Sequence, residues 1–234
     1  MAETSRMGLP LLDPAQAQKH VSVNEALARA DALAAGLVEE VGRTDPPAAP
    51  REGTLWAIGA GATGEWAGRD GRLGLFLNGG WRFAEPWEGM EIADRASGRR
   101  WRRIGGTWLG DVLACSPGGA ATRAEVFEIE HEITPGASST TAPAVADKAV
   151  VLGVTGRVLD AIGGADAWSI GVPGAAGRYG TGYGITAGAF ARGLTGQPQT
   201  YYAPTPLLLT AEGGDFTGGR VRLAIHTLSI APPD

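Results

Sequence analysis

Helical spacing of apolar residues is confined to the N-terminal part of the chain, and this restricts the fold more than any other feature of the sequence. Asp13 and Pro14 follow the preferences for an N-cap and a first helical position, which predicts a short helix there. Ser22 and Glu25 then form a capping-box pattern that predicts the start of a longer helix. The proline-rich run at 46–50 ends the helical pattern, so we expect β-structure after it.

The longer helix carries an apolar stripe that continues until Gly42. Its members recur at intervals of four and three residues, as in helices that pack against partner helices. The stripe is shorter than the three to four heptads of a typical coiled coil, so it also fits an amphipathic helix folded onto its own domain. Both interpretations stay open. The stripe consists of Val23, Leu27, Ala30, Ala34, Leu37 and Val41, and the oligomerisation and attachment residues predicted from it are Val23, Leu27, Leu37 and Val41.

Short strands joined by glycine-rich turns are predicted after the proline run. The chain contains 37 glycines and 15 prolines, which suits a turn-rich β protein. Asn78-Gly79 separates two apolar runs, and Gly105-Gly106 separates two more, so each predicts a tight hairpin whose turn needs positive φ angles. Each turn is soon followed by a tryptophan, which indicates a weak internal repeat.

Six of the seven tryptophans lie between residues 51 and 110. They predict either the core of a small β module or platforms on which sugars stack, since flat aromatic rings offer large rigid contact areas. Arginines crowd the same region and favour either a solvated face or a basic site for an acidic polysaccharide. These residues are Trp56, Trp66, Trp81, Trp87, Trp101 and Trp108, and Arg95, Arg99, Arg100, Arg102 and Arg103.

Residues 111–234 predict a larger β-sandwich of the jelly-roll type. Alternation is clearest over 126–133, where one face is mostly apolar and the other carries Glu128, Glu130 and Glu132. We interpret that acidic face as solvated rather than as a calcium site, and His131 as a core histidine. The predicted fold is therefore mainly β. It comprises an N-terminal helical segment at 1–50, a tryptophan-rich β module at 51–110 and a jelly-roll-like sandwich at 111–234.

The sequence contains no strong catalytic motif, and we expect neither an enzyme nor a bound metal or cofactor. With a single cysteine, no intrachain disulfide can form. The formal net charge of −5 gives no general attraction for nucleic acid. No secretion signal or membrane-spanning run is recognised, so we expect synthesis in the cytoplasm and no membrane insertion. A glycosidase would need two carboxylates flanking a sugar bond; the candidates are Asp160, Asp166, Glu212 and Asp215.

Three long, irregular stretches resemble a family of uncharacterised proteins encoded in bacterial prophages and gene transfer agents, which are phage-like particles that carry host DNA. The stretches are 10–31, 53–68 and 201–226. The resemblance is strongest to the head spike fibres of gene transfer agents and covers nearly the whole chain. It implies a fibre on the surface of the particle that recognises a host glycan, and it brings no catalytic motif.

The predicted function is thus adsorption of a virion-like particle through host capsule polysaccharide. The alternative is a structural adaptor that joins another fibre to the particle, and a polysaccharide depolymerase is a more distant alternative. Expected partners are further copies of the chain, with a homotrimer favoured, together with a spike base or capsid protein and the host polysaccharide. Aromatic residues in glycine-flanked positions are the predicted glycan contacts, because such contexts leave rings uncovered. These are Trp168, Tyr179, Tyr183, Tyr201 and Tyr202.

Overall fold

The computed structural model describes residues 2–12 and 19–233. The described chain is mainly β-structure with one short N-terminal α-helix, as the sequence predicted. It forms two compact units, unit 1 (Met1–Val112) and unit 2 (Leu113–Asp234). The predicted boundary between residues 110 and 111 lies two residues before the observed one, whereas the predicted boundary after residue 50 falls inside unit 1.

Unit 1 contains two four-stranded sheets built to the same plan. Each is a three-stranded antiparallel meander, with a strand of two or three residues added in parallel to the first strand of the meander. One sheet has the order β2-β3-β4-β5 and the other β1-β6-β7-β8. The elements are α1 (Lys19–Ala35), β1 (Leu37–Val38), β2 (Val41–Arg43), β3 (Leu55–Ile58), a 3-10 turn (Gly64–Trp66), β4 (Leu73–Leu77), β5 (Gly80–Ala84), β6 (Glu91–Asp94), β7 (Arg100–Ile104) and β8 (Thr107–Gly110).

Both predicted hairpins are confirmed. Asn78 and Gly79, which join β4 to β5, have φ angles of 53° and 69°. Gly105 and Gly106, which join β7 to β8, have φ angles of 56° and 77°. Two consecutive positive φ angles are the requirement of a type I′ turn, which matches the twist of the flanking strands. The weak sequence repeat therefore corresponds to the two meanders of unit 1.

The helix α1 ends earlier than the apolar stripe predicted. Gly36 adopts a left-handed conformation, with φ of 58°, and ends the helix directly after Ala35. Leu37 then lies in β1, paired with β6, and Val41 lies in β2, paired with β3. Ser22 is inside the helix rather than at its start. The short helix predicted from Asp13 lies outside the described residues.

The helix is folded onto its own unit, in agreement with the second interpretation of its apolar stripe. Ala32 is buried among strand residues of the unit, with Ala28 and Leu33 packed against the same cluster. The buried carboxylate of Asp31 accepts hydrogen bonds from the hydroxyl of Thr4 at 3.0 Å and from two backbone N–H groups in 6–7. These bonds attach the N-terminal residues to the helix. Of the four predicted association residues, Val23 is exposed and Leu27, Leu37 and Val41 are partly buried.

Unit 2 is a β-sandwich with the strand order of a jelly roll. The five-stranded sheet has the order β14-β12-β16-β10-β9, and the three-stranded sheet has the order β11-β15-β13. A jelly roll has eight strands; here the segment 179–183 pairs with β13 in the place of the fifth. The strands are β9 (Val112–Cys115), β10 (Ala121–Glu132), β11 (Ser138–Val145), β12 (Val150–Gly163), β13 (Ala167–Gly171), β14 (Phe190–Thr200), β15 (Thr205–Glu212) and β16 (Gly218–Ala231).

The core of unit 2 lies between the two sheets. Val154 and Leu223 contribute from the larger sheet, and Ile170 and Leu209 from the smaller one, all fully buried. The predicted alternation in β10 places its glutamates opposite Ala224, Arg222 and Arg220, on the outer face of the sheet. Phe127 pairs with Ile225 across the two strands. Ile225 is buried in the core, whereas the Phe127 ring is 55% exposed and lies at the margin of the core.

Candidate ligand-binding groove of unit 2

Four of the five aromatic residues predicted to bind a glycan belong to an interior cluster. Trp168 and Tyr179 are completely buried, while Tyr183 and Tyr201 are partly buried against the same core. A sugar cannot stack on a ring that has no accessible face, so the prediction is wrong for Trp168 and Tyr179. Only Tyr202, at 81% exposure, stands free in solvent.

The polar atoms of this cluster hold the segment 179–183 in position. The hydroxyl oxygens of Tyr179 and Tyr201 lie 2.8 Å apart, and the Tyr183 hydroxyl donates to the carbonyl of Tyr179 at 2.6 Å. The indole Nε1 of Trp168 donates to the carbonyl of Gly184 at 3.0 Å. Burial raises the pKa of Tyr179 and of Tyr183, so both hydroxyls stay protonated and able to donate. We conclude that these rings anchor the segment 179–183, whose backbone pairs with β13 at the edge of the smaller sheet.

An open groove of about 500 Å³ lies on the outer face of the larger sheet. Its floor contains Thr155 of β12 and Ala224 of β16, which are directly paired across the two strands. Both side chains are short, whereas the neighbouring outward residues are arginine, glutamate and phenylalanine. Because outward side chains of adjacent strands stand side by side, this difference in length produces the trough.

One side of the groove is lined by Glu128 and Arg222, which belong to an ion-pair network that continues outside the groove to Arg220. Arg222 lies 3.5 Å from a carboxylate oxygen of Glu128 and also pairs with Glu130. The hydrogen bond from Arg222 lowers the pKa of Glu130, so that carboxylate stays ionised. Arg220, farther along the same strand face, pairs with Asp160 and Glu130. The acidic face predicted for β10 is therefore solvated and neutralised by arginines on β16.

Two more arginines and an exposed ring complete the lining, with Arg157 of β12 directly paired with Arg222 of β16 and Arg192 on β14. The pairing of β12 with β14 places Arg157 opposite Phe190 and Thr155 opposite Arg192. Phe190 is 63% exposed, and the Arg192 guanidinium lies 5.8 Å from its ring centroid. Among the described residues, neither Arg157 nor Arg192 forms an ion pair. Uncompensated guanidinium groups beside an aromatic face can bind an anionic ligand that also has an apolar surface.

The carboxylates considered for a glycosidase have other contacts or lie apart from this groove. Asp160 pairs with Arg220 at 2.8 Å, and Glu212 accepts the backbone N–H of Gly182 at 3.2 Å. Asp166 lies between β12 and β13, and Asp215 between β15 and β16. In residues 2–12 and 19–233, no group of three or more His, Cys, Asp or Glu side chains is arranged to hold a metal ion.

His131 is a hydrogen-bonded residue of β10, but it is only partly buried and is not among the core residues of unit 2, so its interpretation as a core histidine is confirmed only for its hydrogen bond. Its Nε2 lies 2.8 Å from the hydroxyl of the buried Ser139, which also accepts the backbone N–H of Thr134 at 2.9 Å. Burial lowers the pKa of His131 because charging the ring there is unfavourable. The contact joins the end of β10 to the start of β11.

The tryptophans of unit 1 act mainly as its core. Trp56 and Trp66 are buried, and Trp81 meets Trp66 edge to face with 4.9 Å between ring centroids. Trp87 is exposed. Nearby arginines are largely engaged within the unit, since Arg99 pairs with Asp111 and the Arg103 guanidinium lies over the ring of Trp108. These contacts favour the structural interpretation of this module over a basic polysaccharide site.

Comparison with known proteins gives partial likenesses. Residues 23–109, fewer than half of the chain, match a family described as "Protein of unknown function (DUF2793)". A solved structure titled "Cyanophage Pam1 capsid asymmetric unit" is similar at 21% identity with a TM-score of 0.34, over 50% of this chain and 92% of that one. No curated protein matches the sequence significantly. No helix of the described residues has the length and apolar character needed to span a membrane.

Proposed function

We propose that this protein is a surface fibre of a phage-like particle, of the head-spike type found in gene transfer agents, and that it binds a host surface polysaccharide without cleaving it. The observation that carries the proposal is the open groove of unit 2, where Arg157, Phe190 and Arg192 present charge and an aromatic face to solvent. The sequence resemblance to particle fibres supports the same function. Jelly rolls also recur in viral capsid and lectin domains, although a fold by itself does not define a function.

The proposal divides the work between the two units. The family match at 23–109 lies entirely within unit 1, which favours a shared role such as attachment to a spike base or capsid protein. Unit 2 lies outside that match and carries the groove. We therefore assign polysaccharide binding to unit 2. Each groove is shallow and binds weakly, but several copies on one particle would engage one polymer with high avidity.

Binding to intact cells tests this function. The labelled full-length protein should adsorb to host cells but should not bind cells whose surface polysaccharide has been removed. Particles lacking the protein should adsorb less, and no new reducing ends should appear when purified polysaccharide is incubated with the protein. Equal binding to stripped cells contradicts the proposal. Particles that need the protein for assembly but adsorb normally through other fibres would instead indicate the structural adaptor.

We further propose that copies of the chain associate, with a homotrimer favoured. Val23, one of the apolar-stripe residues from which association is predicted, is exposed on the helix and therefore accessible to a second copy. Light scattering should give three times the mass of one chain, and Val23→Asp should reduce it. A wild-type protein that scatters as a single chain at micromolar concentration contradicts association.

A further inference from the structure

We infer that the ligand of the unit 2 groove is an acidic polysaccharide, whose carboxylate, sulfate or phosphate groups are held by Arg157 and Arg192. This inference rests on the proposed function and adds the chemical class of the ligand and the residues that select it. The two arginines come from adjacent strands, β12 and β14, and both line the groove. Guanidinium groups suit this role because their planar donor forks match the geometry of oxyanions.

Both arginines are held in place while most of their donors stay available. The Nη1 of Arg157 donates to the carbonyl of Gly188 at 3.1 Å, which uses one of the five N–H donors of that side chain. The guanidinium of Arg192 lies over the ring of Phe190, a cation–π contact that restricts its orientation. Pre-ordered cationic groups lose less conformational entropy when a ligand binds.

The charge of the groove is opposite to that of the chain. The whole protein has a formal net charge of −5, yet the groove is lined by three arginines and a single glutamate, Glu128. That glutamate lies 3.5 Å from Arg222, so the excess positive charge belongs to Arg157 and Arg192. An acidic polymer would therefore be repelled by much of the surface and attracted to this groove. A neutral glycan would offer hydroxyl oxygens as acceptors but no counter-charge, so its hydrogen bonds to the two guanidinium groups would be weaker than those of an anionic one.

The exposed ring of Phe190 explains why a saccharide fits better than a small inorganic anion. Sugars present apolar C–H faces that pack on aromatic rings. Phe190 has no polar tip to orient the sugar, so the neighbouring arginines would supply the orientation through the acidic substituent. The groove is open along the sheet face, which lets a polymer continue beyond the residue that is held.

The experiment compares the full-length protein and three variants on purified acidic surface polysaccharide, on the same polymer after chemical reduction of its carboxyl groups, and on neutral dextran. Arg192→Gln and Phe190→Ala should each weaken binding to the acidic polymer about tenfold, because each removes one element of the groove. Arg220→Gln is the matched control. It removes an arginine from the same outer face of the larger sheet, but that arginine lies outside the groove lining and is already paired with Asp160 and Glu130, so binding should change less than about twofold. Circular dichroism should show that every variant keeps its strand content.

The outcomes separate the inference from the function. Equal binding to the acidic and carboxyl-reduced polymers, when sulfate and phosphate are absent, overturns the acidic ligand while polysaccharide binding stands. Equal losses for Arg192→Gln and Arg220→Gln overturn the groove as the site. If the protein binds neither the acidic nor the reduced polymer nor intact host cells, the proposed function itself fails. Binding of the wild type should also weaken as ionic strength rises, since exposed charges are screened over about 8 Å at physiological salt.

Discussion

In each unit a glycine-rich loop packs aromatic rings into the core. The two units differ in whether the polar atoms of those rings form hydrogen bonds. In unit 1 the segment 59–72 brings Trp66 against Trp56 and Trp81. The indole Nε1 of Trp66 is buried there without a hydrogen-bond partner. In unit 2 the segment 172–189 brings two tyrosines to the core, and the hydroxyl of each has a partner.

The two loops are therefore held in place by different interactions, mainly by apolar burial in unit 1 and by hydrogen bonds as well in unit 2. Burial of ring area is favourable but not directional, so the tryptophan cluster gains stability from contact area. The hydrogen bonds of unit 2 specify one position of the loop, since a shift would leave buried donors and acceptors unpaired. We therefore expect unit 1 to be sensitive to the volume of its rings, and unit 2 to be sensitive to their polar atoms as well.

The largest effect should come from Trp66→Ala. Truncating a fully buried tryptophan leaves a cavity and should lower the free energy of unfolding of unit 1 by about 3–5 kcal/mol. Hydrogen exchange resolved by peptide should show faster exchange in 51–110 and little change in unit 2. Trp87→Ala is the control, because its ring is exposed and its loss should cost little. Similar destabilisation by both variants would contradict the assigned core.

Substituting phenylalanine for one buried tryptophan in each unit tests whether the indole N–H contributes differently to the stability of the two units. Trp66→Phe removes an indole N–H that has no partner, which offsets part of the cost of the smaller ring. Trp168→Phe removes an N–H bonded to Gly184 at 3.0 Å and leaves a carbonyl unpaired. Trp168→Phe should therefore destabilise its unit by about 1–3 kcal/mol more than Trp66→Phe destabilises the other. Denaturant titrations followed by hydrogen exchange measure both, and equal costs would remove the distinction.

A smaller effect is expected from the hydroxyl pair of unit 2. Tyr179→Phe and Tyr201→Phe should each cost about 1 kcal/mol, and the double variant should cost less than their sum because the two hydroxyls share one hydrogen bond. Tyr202→Phe serves as the control, since that side chain is exposed and should be neutral. Strict additivity in the cycle would mean that the pair does not interact in solution.

Features set by a few neighbouring residues could be predicted from the sequence. The turns at 78–79 and 105–106 follow from residues that tolerate positive φ, and the alternation in β10 follows from the period of a strand. The end of the helix was misplaced because Gly36 falls between stripe members and does not interrupt their spacing. The helix stops there since β1 pairs with β6, a contact more than fifty residues away in the chain.

The burial of the aromatic rings and the formation of the groove depend on contacts between residues that are distant in the sequence, which a local pattern cannot predict. Glycines beside Tyr179 and Tyr183 were interpreted as a sign of exposure, whereas they let the segment fold back onto β13. The groove combines Glu128, Arg157 and Arg192 from strands that are distant in sequence and become neighbours through the jelly-roll order. The alternation of Phe190, Ala191 and Arg192, like that of Arg222 and Ala224 with their apolar neighbours, is a local signal of an outward face.

The smallest expected effect is a pH dependence of the stability of unit 2. It arises from His131, whose contact with Ser139 joins β10 to β11. The pKa of His131 in the folded chain lies below its ordinary value of 6.5, because burial disfavours the charged ring. The unfolded chain therefore binds the proton first as pH falls. The stability of unit 2 should be fully present above pH 6.5 and decrease progressively as pH falls below that value, towards the pKa of the folded state. Unfolding of unit 2 at several pH values measures this slope, and His131→Gln should flatten it. A slope that is unchanged in His131→Gln, or a stability that rises on acidification through this range, would contradict the role assigned to the histidine.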